Sequence, residues 1–342
     1  MKSRPTSQRL AELVDGFERV RVLALVDLVA DEYVFGQIAR VSREAPVLIL
    51  KHDRTQVVPG GGANAVANIA ALGGRALTIG VVGKDAAGQQ ILSALRESRA
   101  DTSAVLRLPG YHTPTKTRIL AGLPHSNRQQ VVRIDRGEWL NSRPDLSKHL
   151  SRALTDLLPQ ADSIMVSDYG YGLVTPQLGH SLARRAAAAR KVATLDSRYA
   201  ILAQVGFAAA TPNEPEVEAA LGLTIGKEPE SLERAGREML RRLKCRAVLV
   251  TRGANGMALF ESGRPTRHIP IYGTDEVADV TGAGDTVIGT FTLALGAGAS
   301  FFEATLLANY AGGIVVMKRG TATVSRDELR EAVAADRGAA GE

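Results

Sequence analysis

From about residue 145 onward the chain alternates regularly between stretches with helical spacing and short apolar runs of strand length. Strands are expected at 163–167, 192–195, 207–210 and 247–250, and helices at 145–158, 176–190, 214–222 and 229–243. Earlier strands at 21–26 and 76–82 and helices at 62–72 and 86–97 follow the same rhythm. Runs that are apolar throughout are buried on both faces, which requires a mainly parallel sheet covered by helices on each side. The expected fold class is therefore α/β. Further strand candidates lie at 256–260 and 267–271, and helices at 284–296, 301–318 and the C-terminus close the pattern.

Two β pairs interrupt it. One is 47–50 with 55–58, turned by 51–54, and the other is 115–120 with 130–134, separated by 124–127. Inserted early in a βα chain, they predict a small β-sheet lid, its strands within about 32–58 and 111–135. With no low-complexity linker, residues 1–335 are expected to form one domain, and the Gly- and Ala-rich residues 336–342 a loose tail.

Composition removes several function classes. No apolar run reaches the ~18 residues of a membrane span, and the N-terminus lacks a signal-peptide core. A lone cysteine, Cys245, excludes a disulfide framework and a cysteine metal cluster and points to a cytoplasmic location; beside an apolar strand it reads as a core residue. The net charge of +6 comes from scattered arginines, and with 4% aromatics it gives no stacking platform, so no nucleic-acid partner is expected. A positive field instead suits ATP and a phosphorylated substrate. The six histidines show no metal-ligand spacing, and Ser167 lacks a Gly-x-Ser-x-Gly frame.

The chemistry concentrates at Asp279-Val-Thr281-Gly282-Ala283-Gly284-Asp285-Thr286. A small glycine turn opening a helix leaves backbone N–H groups uncovered at the positive end of the helix dipole, a site for a transferring phosphoryl group. Asp285 beside it is placed to take a proton from an attacking hydroxyl. Gly60-Gly61-Gly62-Ala-Asn64 opens another helix. Its Gly-x-Gly-x-x-Ala spacing matches a dinucleotide fingerprint only formally, because it does not end the first strand. Asn64 there supplies both a donor and an acceptor, as sugar hydroxyls require. Asn213-Glu-Pro-Glu216 reads either as a helix start or as a pair organising the waters of Mg²⁺. The turn Thr251-Arg-Gly253 is a plain hairpin or packs along a nucleotide.

Taken in order, these segments resemble the ribokinase-like (PfkB) family of carbohydrate kinases over about residues 20–335. Within it, Asp27-x-x-x-Asp31-x-Tyr33-x-x-Gly36, Ser167-Asp168-Tyr169 and Val280–Gly289 look most like the D-glycero-D-manno-heptose-7-phosphate kinases of ADP-heptose synthesis. The resemblance implies a three-layer ribokinase-like fold, ATP and Mg²⁺ as requirements, and a homodimer formed through the lid. It assigns Asp285 as catalytic base and Gly282, Ala283 and Gly284 as the anion hole. Asn213 and Glu216 would organise Mg²⁺-ATP, with Thr251, Gly253 and Asn309 along the nucleotide. Asp27, Asp31, Gly60, Gly61 and Asn64 would hold the sugar. Asp279 and Thr281 match positions that bind a monovalent cation such as K⁺ in some relatives. No nucleotidyltransferase segment follows residue 342, so the stand-alone kinase is the form expected. Two departures stand out: Val26 replaces a glycine, and Tyr171 replaces the lysine of Ser-Asp-Tyr-x-Lys-Gly. Lys116, Arg118 and Arg133 remain as candidate ligands for a sugar phosphate. Another sugar or nucleoside kinase of the family, or a silent sugar-binding paralogue, are the alternatives.

Overall fold

The computed structural model describes residues 5–122, 128–140, 144–226, 228–273 and 279–336. Its strands are β1 (Arg21–Val26), β2 (Leu28–Val41), β3 (Leu48–Gly61), β4 (Arg75–Gly83), β5 (Asp101–Leu108), β6 (Thr115–Gly122) and β7 (Gln129–Arg136). After these come β8 (Ser163–Asp168), β9 (Val192–Ser197), β10 (Ala209–Ala210), β11 (Ala247–Thr251), β12 (Met257–Glu261) and β13 (Arg267–Ile269). Among the described residues nine of them form one sheet, in the order β13-β12-β11-β10-β9-β8-β1-β4-β5, and four a second, β3-β2-β6-β7. The large sheet is parallel from β11 through to β5, and β12 and β13 add antiparallel strands at one edge.

Alternation along β1 explains the layers. Val22, Ala24 and Val26 pack on one face with α1 (Ser7–Gly16), α2 (Gly62–Ala71), α8 (Ala283–Gly296), α9 (Phe301–Val316) and α10 (Arg326–Ala335). Leu23 and Leu25 face the other way, into the core under α4 (Pro144–Leu157), α5 (Pro176–Ala188) and α7 (Pro229–Leu243). Helices α3 (Ala86–Glu97) and α6 (Glu214–Leu221) complete the cover. Cys245 is buried in the second core, as expected, and burial pushes its thiol up to about 12. No helix among the described residues is long and apolar enough to cross a membrane.

The small sheet grows directly out of the large one, since a single residue, Asp27, separates β1 from β2. It differs from expectation in that its first hairpin pairs β3 with β2, a strand the sequence did not mark. The first hairpin turns at 42–47, closed by Ser42 N–H on the Val47 carbonyl, and β3 runs straight through Lys51-His-Asp-Arg54. Those four polar residues lie on an exposed stretch of β3, where no face must be apolar, so polarity there does not mark a turn. β2 pairs in parallel with β6 and thereby joins the two antiparallel pairs into one sheet. The expected loop 124–127 and all of the tail after Asp336 lie outside the described residues.

Candidate active site

Asp285 sits in the first turn of α8, whose N-cap Gly282 is in the left-handed region at φ 81°. A Cβ on Gly282 would come within 2.5 Å of Asn64 Nδ2, so both the turn and the close approach require glycine. The carboxylate is buried and held on both oxygens. The Tyr169 hydroxyl donates to Oδ1 at 2.6 Å and Asn64 Nδ2 to Oδ2 at 3.3 Å. Asn68 Nδ2 donates to Asn64 Oδ1, which leaves the Asn64 amino group as the one facing Asp285. Burial pushes Asp285 up to about 7, although the Tyr169 and Asn64 donors and the Arg198 charge pull the other way. A carboxylate tuned near neutrality is suited to general-base work.

Next to it a cavity of about 190 Å³ is lined by Asp196, Arg198, Asn213, Glu216 and Thr251, with Gly282, Gly284 and Asp285 at one wall. Asn213 and Glu216 form a full capping box on α6: Glu216 N–H donates to Asn213 Oδ1 at 2.8 Å, and Asn213 N–H to Glu216 Oε2 at 2.9 Å. The helix-start reading of this pair is thus observed, and the same two residues line the cavity. Burial, then the charges of Glu216 and Asp285, push the Asp196 carboxyl far above its usual range, and burial raises Glu216 as well. Three acids crowded in this way favour a cation among them. Among the described residues no three of His, Cys, Asp or Glu are arranged to clasp a metal directly. That donor set fits a Mg²⁺ that keeps its waters and takes most remaining oxygens from phosphates. Gly253, at φ 54°, and Asn309, whose Nδ2 donates to the Pro270 carbonyl, do not line this cavity.

The residues expected to hold a sugar are placed as follows. Asp31 is buried, and its carboxylate accepts from Arg118 Nη1 at 2.6 Å and from the Thr321 hydroxyl at 2.7 Å. Gly60 lies across the strand pair from it; a Cβ there would come within 2.5 Å of the carboxylate carbon. Gly61, at φ 52°, ends β3 and caps α2, which carries Asn64. Asp27 is engaged by the backbone of the site itself. Its Oδ2 accepts the backbone N–H groups of Tyr169 and Tyr171, so the carboxylate ties down the loop after β8. Lys116 lies over the Tyr169 ring at 5.2 Å, and burial with the nearby Arg198 lowers its ammonium pKa. Arg133 is exposed and forms a two-pronged pair with Asp135, one strand over from Arg118. The carboxylate of Asp279 accepts from Thr281 N–H and Gly320 N–H, joining the start of the glycine turn to the loop after α9.

Sequence reasoning left Tyr169, Asp196, Arg198 and Thr321 without roles. Asp196 follows directly on the apolar run of β9, where open α/β sheets bind ligands, so position alone marks it and Arg198. Thr321 carried no such mark. It reaches Asp31 across 290 residues of chain from an irregular loop.

The chain matches the model of the pfkB family carbohydrate kinases over residues 24–328. It is 37% identical over 315 residues to a bifunctional protein HldE of Desulfatibacillum aliphaticivorans, covering 92% of this chain and 63% of that one. The chain spans a little under two thirds of the length of the curated relatives it matches. Its fold is similar to that of phosphofructokinase-2 from Escherichia coli in complex with substrates and products, at TM-score 0.73 and 22% identity over 92% of this chain and 99% of that one. The same enzyme in complex with potassium aligns at TM-score 0.70 and 21% identity, over 92% and 98%. The ribokinase-like architecture, the neutral-range carboxylate at a glycine turn and the family match agree: this chain belongs to the pfkB family of carbohydrate kinases, phosphotransferases with an alcohol group as acceptor.

Proposed function

We propose that this chain transfers the γ-phosphate of ATP to a sugar hydroxyl, the C1 hydroxyl of D-glycero-D-manno-heptose 7-phosphate. The observation that carries the reading is Tyr169, from the Ser-Asp-Tyr stretch of the heptose-kinase resemblance, bonded to the candidate base Asp285. Asp285 takes the hydroxyl proton as the sugar oxygen bonds to the γ-phosphorus and the bond to the β-phosphate oxygen breaks. Tyr169 and Asn64 hold the carboxylate in register. The first N–H groups of α8, from Gly282 to Gly284, lie where charge spreads over the phosphoryl oxygens. Mg²⁺, when bound, neutralises phosphate charge, and Asn213 and Glu216 would hold its waters. Thr251 would lie along the nucleotide, with Gly253 and Asn309 further from the phosphates. Asp31, Gly60, Gly61 and Asn64 hold the sugar. Asp279 and Thr281 would border a K⁺ site whose effect is on the glycine turn.

The lid would pair two copies of the chain. All eight residues of the edge strand β7 are exposed, Val131, Val132 and Ile134 among them, and a bare edge of this kind invites a partner sheet. A coupled ADP-release assay over a sugar panel tests the substrate. Turnover of another sugar with none of heptose 7-phosphate would refute the assignment.

A further inference from the structure

A second cavity, wider than the nucleotide cavity, opens from the Asp31 side of the site. It measures about 860 Å³ and lies between the small sheet and the loop after α9. Arg54, Arg118, Arg128 and Arg319 line it, and the carboxylate among its lining, Asp279, already accepts two backbone N–H groups. We infer that this cleft is an anion subsite that takes the phosphate at the far end of the sugar, with Arg54 and Arg128 as its discriminating contacts. The inference rests on the proposed function for the position of the reacting hydroxyl.

The partition between the two cavities fixes where the sugar lies. Thr321 lines the large cavity, bonds to Asp31, and lies within 3.4 Å of where a Gly282 Cβ would stand. Arg118 lines the same cavity and bonds to Asp31 from the other side. A sugar held at Asp31 with one hydroxyl at Asp285 therefore has its remote end directed into the arginine cleft.

Strand register sets the distance. Asp31, Tyr33 and Phe35 alternate onto one face of β2, with Arg118 opposite Tyr33 and Arg54 opposite Phe35. Each step of two residues advances about 7 Å, so Phe35 lies about 13 Å along the strand from Asp31. Arginine side chains reach back over part of that span. A phosphate at the end of a six- or seven-carbon sugar meets them.

The chemistry of the cleft favours a phosphate dianion. The Arg54 guanidinium lies 4.0 Å from the Phe35 ring centroid and that of Arg128 5.5 Å from the same ring, so one aromatic brings two positive forks together. Asp53 neutralises Arg128. Among the described residues no carboxylate lies within ion-pairing distance of Arg54, which leaves the pair with excess positive charge. Planar forks of this kind match phosphate oxygens two at a time. Lys116 and Arg133, the other candidates from the sequence, do not line the cleft.

Steady-state kinetics of the intact chain with matched sugars, with and without a terminal phosphate, test the subsite. Wild type is expected to prefer the phosphorylated sugars. Arg54→Gln with Arg128→Gln should raise KM for them about 10- to 100-fold, leaving kcat and the KM for unphosphorylated sugars within a few-fold. Arg54→Lys, which keeps the charge and loses the fork, should fall between. A wild type indifferent to the phosphate, or variants that keep the preference with an unchanged melting temperature, would overturn the subsite. Arginine-dependent preference for a different phosphosugar, with no turnover of heptose 7-phosphate, would support the subsite while refuting the heptose assignment.

Discussion

The Tyr169 hydroxyl lies 2.6 Å from Oδ1 of Asp285 and donates to it, in a fully enclosed contact between the loop after β8 and the first turn of α8. Burial, with the Asp285 charge beside it, raises Tyr169 well above its usual range, so the phenol stays a donor at any working pH. Its effect on Asp285 is to stabilise the ionised form.

Tyr169→Phe removes that donor and keeps the ring beneath Arg198 and Lys116. A hydrogen bond to a charged group is worth about 1.5–3 kcal/mol, or roughly one to two pKa units. The acid limb of the kcat–pH profile, expected near 7 in the wild type, should move up by that amount, and kcat at pH 7 should fall about tenfold or more. KM for ATP should change little. A profile with its limb unmoved would show that the phenol only fills space.

Asp285→Asn should lower kcat by about three orders of magnitude or more while ATP binding, read by calorimetry, persists. Stability gives an independent readout. The folded-state value of about 7 lies above the ordinary 3.8, so the folded chain holds this proton more tightly than the unfolded one. The associated stability is fully present below about pH 4 and is lost as pH rises through 7. The asparagine variant lacks this titration. Its stability relative to wild type should therefore climb by roughly a few kcal/mol between pH 4 and 7 and level off above, as urea unfolding at each pH would report.

The large sheet was legible where its strands are buried on both faces, as in the expected runs 163–167 and 247–250; β5, half exposed at the sheet edge, carries no such run and was not expected. The small sheet was legible only in part. β2 carries Asp31, Glu32 and Tyr33 within its length, since one of its faces belongs to the site, and polarity at a functional surface hides a strand. In the site, Asp285, Asn64 and Asp31 announced themselves by motif. The roles of Tyr169 and Thr321 depend on tertiary contacts over 116 and 290 residues, which local spacing does not encode. For Tyr169 and Thr321 these are the bonds to Asp285 and Asp31. Arg198 is marked by its place at the end of β9, but its charge beside Tyr169 and Asp285 shows only in the fold.

Asp27 should behave as a positioning residue. Asp27→Ala leaves two N–H groups of the 168–172 loop without an acceptor, at a cost of about 2–4 kcal/mol, and it frees Tyr169 to drift from Asp285. Asp27→Asn retains an oxygen for them. Chemical denaturation should show a large loss for alanine and a small one for asparagine, with kcat following the same order. If Asp27 held the sugar directly, asparagine would instead raise KM for the sugar tenfold or more at full stability.

Glu216→Gln separates the two tasks that meet at the start of α6. The amide oxygen of glutamine can still accept from Asn213 N–H, so the capping box survives, and a box of this kind is worth about 1 kcal/mol. What the substitution removes is charge in a cavity already crowded by Asp196 and Asp285. The melting temperature should therefore hold or rise, because one of three mutually repelling acids has been neutralised. If Glu216 holds the waters of Mg²⁺, the Mg²⁺ concentration giving half-maximal rate should rise about tenfold or more, with kcat at saturating Mg²⁺ reduced less. A Mg²⁺ titration that overlays the wild type would leave Glu216 with the helix cap alone and move the metal's acidic partner to Asp196.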